Sequence, residues 1–146
     1  MPTYIVKYSN FNLTSNQKKK VAKGITKAHN MSTGANNFFA QVIFQKNSKH
    51  SHFMGGKIVK SKEIFLNGQI RSGRSALIKK RLINELKKSL LNNLKINKDS
   101  IWIYLEDLLP EQMIEYGETL PKSGGERKWF NSLPSGLRKR LKKIDN

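Results

Sequence analysis

An internal repeat divides the 146-residue chain, because residues 1 to 46 and residues 63 to 106 both show the order strand, helix, strand. Residues 47 to 62 join the two units, and residues 107 to 146 follow them as a tail. Shifting the first unit by 61 positions places apolar residues on apolar residues: Tyr4 on Phe65, Ile25 on Leu86 and Val42 on Ile103. A doubled unit of this kind restricts the fold to a few arrangements.

The first unit opens with β-branched and aromatic residues from Pro2 to Tyr8, which predict a strand. Thr14 and Gln17 form a capping box at the start of a helix that ends near Gly34. Residues Phe38 to Phe44 predict the second strand. The apolar stripe of the helix consists of Val21, Ile25 and Ala28.

The second unit repeats these signals with a strand from Glu63 to Ile70, a helix capped by Ser75 and a strand from Ile101 to Leu105. Its helix carries an apolar stripe formed by Leu82, Leu86, Leu90 and Leu94. The tail ends in an amphipathic helix with apolar positions Leu137, Leu141 and Ile144. We expect this last helix to dock on the core rather than to bind phosphates.

Two β-α-β units joined edge to edge predict an α/β (α+β) fold, a four-stranded sheet with both helices on one face. A chain of this length forms one domain with one core. The second face of the sheet would stay uncovered and apolar. Such a face favours association, so we expect a closed oligomer.

Composition excludes several classes of protein. The chain has no cysteine, which rules out disulfides and thiol chemistry and favours the cytoplasm. Its longest apolar runs fall far short of the roughly 20 residues of a spanning helix, so no membrane role is expected. The first residues also lack the apolar core of a secretory signal.

The formal net charge of +18 raises the alternative of a basic nucleic-acid-binding module. The positive charge comes from 22 Lys and only 6 Arg, whereas base and phosphate recognition favours Arg. The lysines are also scattered at helical spacing, as on solvated faces. We therefore expect DNA association to be salt-sensitive and negligible at physiological ionic strength.

Pro2 directly follows the initiator methionine, and methionine is readily removed before a small residue. Removal would leave a secondary amine whose pKa lies near neutrality, a usable acid or base. Many proteins begin Met-Pro without any catalytic reason. The position of Pro2 at the start of a central strand favours catalysis, because neighbouring strands would hold the amine in place.

Arg71 and Arg74 lie where the third strand ends and the second helix begins. Planar guanidinium forks suit a carboxylate, and a helix N-terminus adds partial positive charge. The alternative for these two residues is a structural ion pair. His29, near the end of the first helix, can donate to the same anion or serve as a surface or capping histidine.

Glu115 is one of ten acidic residues and lies between Ile114 and Tyr116, a partly apolar setting. Tyr104 in the fourth strand can carry a reactive hydroxyl or fill the edge of the core. Two histidines, His50 and His52, have no third ligand at a suitable spacing, and no glycine-rich phosphate loop is present. We expect neither a metal nor a cofactor.

Six of these residues on a doubled β-α-β chain resemble the tautomerase superfamily, within it the cis-3-chloroacrylic acid dehalogenase group: Pro2, His29, Arg71, Arg74, Tyr104 and Glu115. The resemblance runs along the whole chain. It is carried by Leu13-Thr14, Val21-Ala22-Lys23, Ile25-Thr26-Lys27-Ala28-His29, Thr33-Gly34, Ala40-Gln41-Val42, Phe44, Gly55-Gly56, Gly73-Arg74-Ser75, Ile101-Trp102, Gln112-Met113, Glu115-Tyr116-Gly117, Leu120-Pro121 and Trp129-Phe130.

The resemblance implies a homotrimer that acts on a small carboxylate substrate. It implies that Pro2 performs proton chemistry and that two residues activate water, Glu115 and Tyr104. It assigns the substrate carboxylate to three residues: His29, Arg71 and Arg74.

The implied reaction is hydration or hydrolytic dehalogenation of a 3-substituted acrylate-type acid. Keto-enol tautomerisation of a 2-oxo acid is the alternative within the superfamily. Ala35 departs from the specialised dehalogenase, in which a hydroxyl residue follows Thr33-Gly34, and residues 47 to 52 are particular to this chain. The natural substrate therefore stays open.

Overall fold

The computed structural model describes residues 2 to 145 of the chain. Its strands are β1 (Thr3–Ser9), β2 (Gln41–Lys46), β3 (Phe53–Met54), β4 (Lys57–Ile58), β5 (Glu63–Arg71), β6 (Ile101–Leu108), β7 (Ile114–Glu115) and β8 (Glu118–Thr119). Its α-helices are α1 (Ser15–Thr33), α2 (Ala76–Asn93), α3 (Glu126–Ser132) and α4 (Ser135–Asp145). Met1, on whose removal the free amine of Pro2 depends, lies outside the described residues.

The main sheet has the strand order β2-β1-β5-β6. Strands β1 and β2 are parallel, as are β5 and β6, while the two units meet through an antiparallel pair in which Val6 lies opposite Leu66. Both long helices pack on the same face, where their apolar residues join the main core. The predicted tandem β-α-β fold is confirmed.

Local signals determine where the helices begin. The Thr14 side chain accepts a hydrogen bond from the Gln17 backbone, and the Gln17 side chain returns one to the Thr14 backbone. Gly34 ends α1 in the left-handed conformation at φ 72°. Close approach of the two helices also requires Gly24, because a Cβ there would lie 2.1 Å from the Ser89 hydroxyl.

The shift of 61 holds for the helices but is wrong for the central strands. Ile25 and Leu86 are both buried, whereas Tyr4 faces the core and Phe65 faces the other side of the sheet. Successive strand residues point to opposite faces, so only an even shift keeps a strand residue on its face. The buried neighbours of Phe65 in β5 are Ile64 and Leu66.

The second predicted strand begins too early. Residues Asn37–Phe39 form a 3-10 turn, and β2 starts at Gln41. The apolar side chains of Phe38 and Phe39 do not belong to a strand; they pack in a second core cluster with the tail. The other buried members of that cluster are Leu120, Trp129, Leu133 and Leu141.

The tail therefore packs across one end of the sheet. Helix α4 contacts the 3-10 turn, and the Asp145 carboxylate accepts hydrogen bonds from the backbone N–H groups of Asn37 at 2.7 Å and Phe38 at 3.3 Å. The Tyr116 hydroxyl donates to the Phe38 carbonyl at 2.5 Å. These contacts enclose a cavity between the tail and the sheet edge.

The face of the sheet opposite the helices is partly apolar and exposed. It presents Ile43, Trp102 and Tyr104, and the β3-β4 hairpin within residues 47 to 62 adds Phe53. Across residues 2 to 145, no helix has the length and hydropathy needed to cross a bilayer.

Candidate active site

The antiparallel pairing of β1 with β5 brings the start of one strand beside the end of the other. Thr3 lies opposite Gln69, so Pro2 and Arg71 occupy the same edge of the sheet. Pro2 is buried there, and its carbonyl accepts a hydrogen bond of 3.0 Å from the backbone of Gln41 at the start of β2. Pro2 thus directly precedes the central strand β1, and its carbonyl takes part in the pairing with β2.

A cavity of about 670 Å³ opens at this edge. One wall is the end of α1 with the following turn, from Thr33 to Phe39, and a second wall runs from Arg71 to Arg74. The third wall is the start of α3, which contributes Glu126, Arg127 and Phe130. Ala35, the position that departs from the specialised dehalogenase, lines the first wall.

The positively charged residues that line the cavity are all arginines. Its described lining contains three of the six arginines of the chain, Arg71, Arg74 and Arg127, and none of the 22 lysines. Guanidinium groups bind carboxylates through two parallel hydrogen bonds, which an ammonium cannot do. The arginines therefore favour a carboxylate ligand over nonspecific attraction of anions.

Arg74 is half-buried and lines the cavity. Its Nη1 donates to the Arg71 carbonyl at 2.7 Å, the single hydrogen bond that it makes to the described residues. Burial and the charge of Arg71 lower the pKa of Arg74 from its ordinary value. Arg74 is thus positioned to bind a carboxylate.

Arg71 is almost completely buried and already has partners. Its Nη1 donates to the Pro121 carbonyl at 2.9 Å, and its Nη2 forms an ion pair with Glu126. Its Nε has no partner among the described residues. The structural ion pair, one of the two alternatives for this arginine, is therefore present within the protomer.

Glu126 was not predicted as a site residue. Partial burial opposes ionisation of its carboxyl group, but the hydrogen bond and charge of Arg71, together with backbone hydrogen bonds from Glu126 and Gly124, outweigh that effect and lower the pKa of Glu126. One signal for it exists in the sequence, since Glu126 follows two glycines and begins a short helix near the aromatic pair of the tail. Nothing local links it to Arg71.

His29 and Tyr4 form a buried pair beneath the arginines. The Tyr4 hydroxyl lies 2.7 Å from His29 Nδ1, and burial together with the charge of Arg74 lowers the pKa of His29 to about 3. Burial raises the pKa of Tyr4, so this hydroxyl keeps its proton and is able to donate a hydrogen bond to Nδ1. In the tautomer that accepts this hydrogen bond, neutral His29 carries its proton on Nε2, which has no partner among the described residues.

The buried neutral His29 predicts a pH-dependent stability. An unfolded histidine binds a proton near pH 6.5, whereas folded His29 does so only near pH 3, so acid favours the unfolded state between these values. The free energy of unfolding should fall by up to about 1.4 kcal/mol per pH unit below pH 6.5 through this group. Urea unfolding at several pH values checks this; a His29→Gln variant with the same slope as the wild type would contradict it.

Glu115 lines a second cavity of about 460 Å³ beside the first. Thr3 and Gln41 border this space, and Phe39 lines both cavities. Pro2 immediately precedes Thr3 and is hydrogen-bonded to Gln41. The cavity that contains Glu115 therefore adjoins the amino end of β1. Glu115 is half-buried at the tip of the β7-β8 hairpin.

Tyr104 is not part of either cavity in the described protomer. It lies on the exposed face of β6, where 53% of its surface is accessible and its ring packs edge-on against Phe65 at 5.2 Å. Its neighbour Ile103 points to the core instead, as strand alternation requires. Of the six predicted site residues, Tyr104 alone projects to the opposite face of the sheet.

The histidines of the joining segment belong to a separate contact. His52 Nδ1 lies 2.9 Å from the Ser9 hydroxyl, which also accepts a hydrogen bond from Asn47 at 2.8 Å. These bonds attach the segment to the end of β1. Within residues 2 to 145, no three His, Asp or Glu side chains come together as metal ligands.

Comparison with known families agrees with this architecture. The family profile described as putative oxalocrotonate tautomerase enzyme matches residues 1 to 132. The chain belongs to this tautomerase family. Among curated protein sequences, none matches it.

Solved structures place the tautomerase more narrowly. The crystal structure of N1, a member of the cis-3-chloroacrylic acid dehalogenase family, is 28% identical, covers 97% of this chain and 99% of its own, and has a TM-score of 0.91. A fused 4-OT asymmetric trimer is 20% identical over 80% of this chain and 94% of its own, with a TM-score of 0.73. Macrophage migration inhibitory factor of Toxoplasma gondii shares the fold at 14% identity, covering 81% and 99% of the two chains, with a TM-score of 0.68.

The expected membership of the tautomerase superfamily, within the cis-3-chloroacrylic acid dehalogenase-like group, is thereby confirmed. The protein is a tautomerase-superfamily enzyme. Two of these structural neighbours, both fused 4-OT proteins, are trimers.

Proposed function

We propose that this enzyme adds water to a small α,β-unsaturated carboxylate, and that a 3-halogen substituent, where present, is lost after the addition. One observation carries the proposal. An arginine-lined cavity and a cavity with Glu115 share Phe39, and the second cavity is bordered by Thr3, the residue that follows Pro2. A carboxylate-binding group, a base and an amine on one sheet edge suit addition across a conjugated double bond.

In the proposed reaction Arg74, supported by Arg71, binds the substrate carboxylate and draws electron density away from C3. Glu115 accepts a proton from water as the water oxygen forms its bond to C3. The Pro2 ammonium gives its proton to C2, which balances the addition. With halogen on C3, the resulting halohydrin loses hydrogen halide and leaves an aldehyde. Neutral His29, with its proton on Nε2, offers a further donor near Arg74.

We further propose that the oligomer is a homotrimer and that Tyr104 acts in it. Tyr104 faces away from its own cavity, on the same uncovered face as Trp102. A second copy covering this face could receive the Tyr104 hydroxyl at its own site, where the hydroxyl would orient the attacking water beside Glu115.

We expect light scattering to give about three times the protomer mass of 16.8 kDa. The reason is the exposed apolar surface of the sheet, which includes Ile43, Phe53 and Trp102. A Trp102→Glu variant should dissociate or aggregate, whereas Leu77→Glu, on the helix side of the protomer and 77% exposed, should not. A stable wild-type monomer near 16.8 kDa would contradict the trimer.

Keto-enol tautomerisation of a 2-oxo acid is the second candidate, favoured by the description of the matching family. The two reactions require opposite protonation states of the amine: hydration needs an ammonium as acid, and tautomerisation needs a neutral base. A nearby carboxylate such as Glu115 favours the ammonium, whereas two arginines favour the amine.

The test combines an acid screen with a titration of protein lacking Met1. We expect turnover of small unsaturated acids, and an NMR pKa of the Pro2 nitrogen above about 7 that falls in Glu115→Gln. A pKa well below 7 with turnover of enolisable acids would favour the tautomerase. A salt-resistant, submicromolar DNA complex without any turnover would favour the basic binding module.

A further inference from the structure

The arginine cavity contains one carboxylate of the protein itself. Glu126, on the tail, pairs with Arg71, although the two residues are 55 positions apart in the chain. The Arg71 side chain is 4% exposed and that of Glu126 is 36% exposed, so the pair lies at the inner wall of the cavity. A ligand carboxylate thus enters a site in which one guanidinium already has a counterion.

A series of hydrogen bonds connects Glu126 to Arg74 through Arg71. The Pro121 carbonyl and Glu126 hold the two Nη atoms of Arg71, and the Arg71 carbonyl holds Nη1 of Arg74. Each link restricts the position of the next group, and Arg74, with a single hydrogen bond to the described residues, lines the cavity. Orientation of a charged donor to within about 1 Å matters strongly for turnover.

Charge balance supports the same role. Two neighbouring guanidinium groups repel each other, and a carboxylate beside them offsets that repulsion before any ligand arrives. Glu126 also lies close enough to Arg74 to raise the pKa of that guanidinium, against the lowering by Arg71. Thus Glu126 acts on both arginines.

We propose that Glu126 is a positioning residue of this site: it holds Arg71 against the Pro121 carbonyl and thereby sets where Arg74 presents its free donors. The same ion pair ties the start of α3 to the end of β5, so that Arg127 and Phe130 face the cavity. This inference rests on the proposed function, because it assigns the substrate carboxylate to Arg74.

The test uses propanoate, a non-reactive short acid, and measures its Kd by calorimetry on the full-length protein. Glu126→Gln keeps an oxygen acceptor for Arg71 but removes a negative charge, so propanoate should bind about threefold more tightly. Glu126→Ala releases Arg71, so binding should weaken about tenfold and turnover of 3-chloroacrylate should fall by a larger factor. A merely structural residue would not change affinity in opposite directions.

Two further variants complete the design. Glu85→Gln removes the carboxylate of the surface pair with Lys88 and should leave the Kd unchanged. Arg71→Lys cannot contact both Pro121 and Glu126 with a single ammonium, so it should resemble Glu126→Ala. The double variant Arg71→Lys/Glu126→Ala should bind propanoate no more weakly than the weaker-binding of the two single variants, because both substitutions break the same contact.

Equal Kd values for the wild type, Glu126→Gln and Glu126→Ala would overturn this inference alone. Tighter binding by Glu126→Ala would also overturn it, because Glu126 would then compete with the ligand rather than position its partner. If the wild type binds no propanoate, or Arg74→Ala binds it equally well, the proposed function fails together with the inference.

Discussion

Protein that retains Met1 should have almost no activity, because an amide nitrogen at position 2 neither gives nor accepts a proton near neutral pH. Proton transfer by a positioned group contributes about 10²- to 10⁴-fold to turnover, and the loss in kcat/KM should fall within or above that range. Pro2→Ala on the processed chain should lose less, since it keeps a primary amine at the same strand end. Mass spectrometry of the amino terminus and assays on matched preparations give the measurement.

The control for the Pro2 variants is a measurement of folding and assembly. Pro2 lies opposite the end of β5 and supports the pairing of β1 with β2 through its carbonyl, which every variant keeps. The thermal midpoint and oligomer mass should therefore change little. Full activity of the Met1-retaining protein would show that the amine is not the catalyst and that the proposed mechanism fails.

Arg74→Ala should lower kcat/KM by about 10²-fold or more while the protein stays folded. Charge-assisted hydrogen bonds to a carboxylate contribute about 1.5 to 3 kcal/mol each, and Arg74 contributes only one hydrogen bond to the described protein. The loss should appear in the binding of acids as well as in turnover. Arg81→Ala, an exposed arginine on α2 outside the cavity lining, is the matched control.

Arg71→Ala should differ from Arg74→Ala in also reducing stability. It leaves the Pro121 carbonyl and Glu126 without their partner, at a cost of about 1 to 3 kcal/mol of unfolding free energy. Comparing the two variants in urea unfolding and in acid binding separates the roles. Equal stability of both, or acid binding unaffected in Arg74→Ala, would contradict this division between a buried and an open arginine.

Local patterns were sufficient for the two long helices, the last helix of the tail and the order of elements within the two β-α-β units. The capping box at Thr14, the cap at Ser75 and the leucine stripe of α2 are interactions between residues a few positions apart. The same holds for the placement of Arg71 at a strand end. These features are readable in the sequence because the contacts that produce them are short-range.

Side-chain direction and long-range partners were not readable in this way. The predicted start of β2 is wrong because Phe38 packs against the distant tail and not in the sheet. The predicted equivalence of Tyr4 and Phe65 is wrong because strand alternation places them on opposite faces. The side of the sheet on which Tyr104 lies depends on which face the helices cover.

The sequence by itself thus determined the repeat, the two long helices, the last helix of the tail, the candidate residues and the family to which the chain belongs. Only the tertiary structure decided that Arg71 pairs with Glu126, that Arg74 is the arginine with open donors, and that Tyr104 projects to the opposite face. The physical reason is that these outcomes depend on chain segments brought together by packing. Local propensities do not specify which distant carboxylate pairs with a guanidinium in the folded protein.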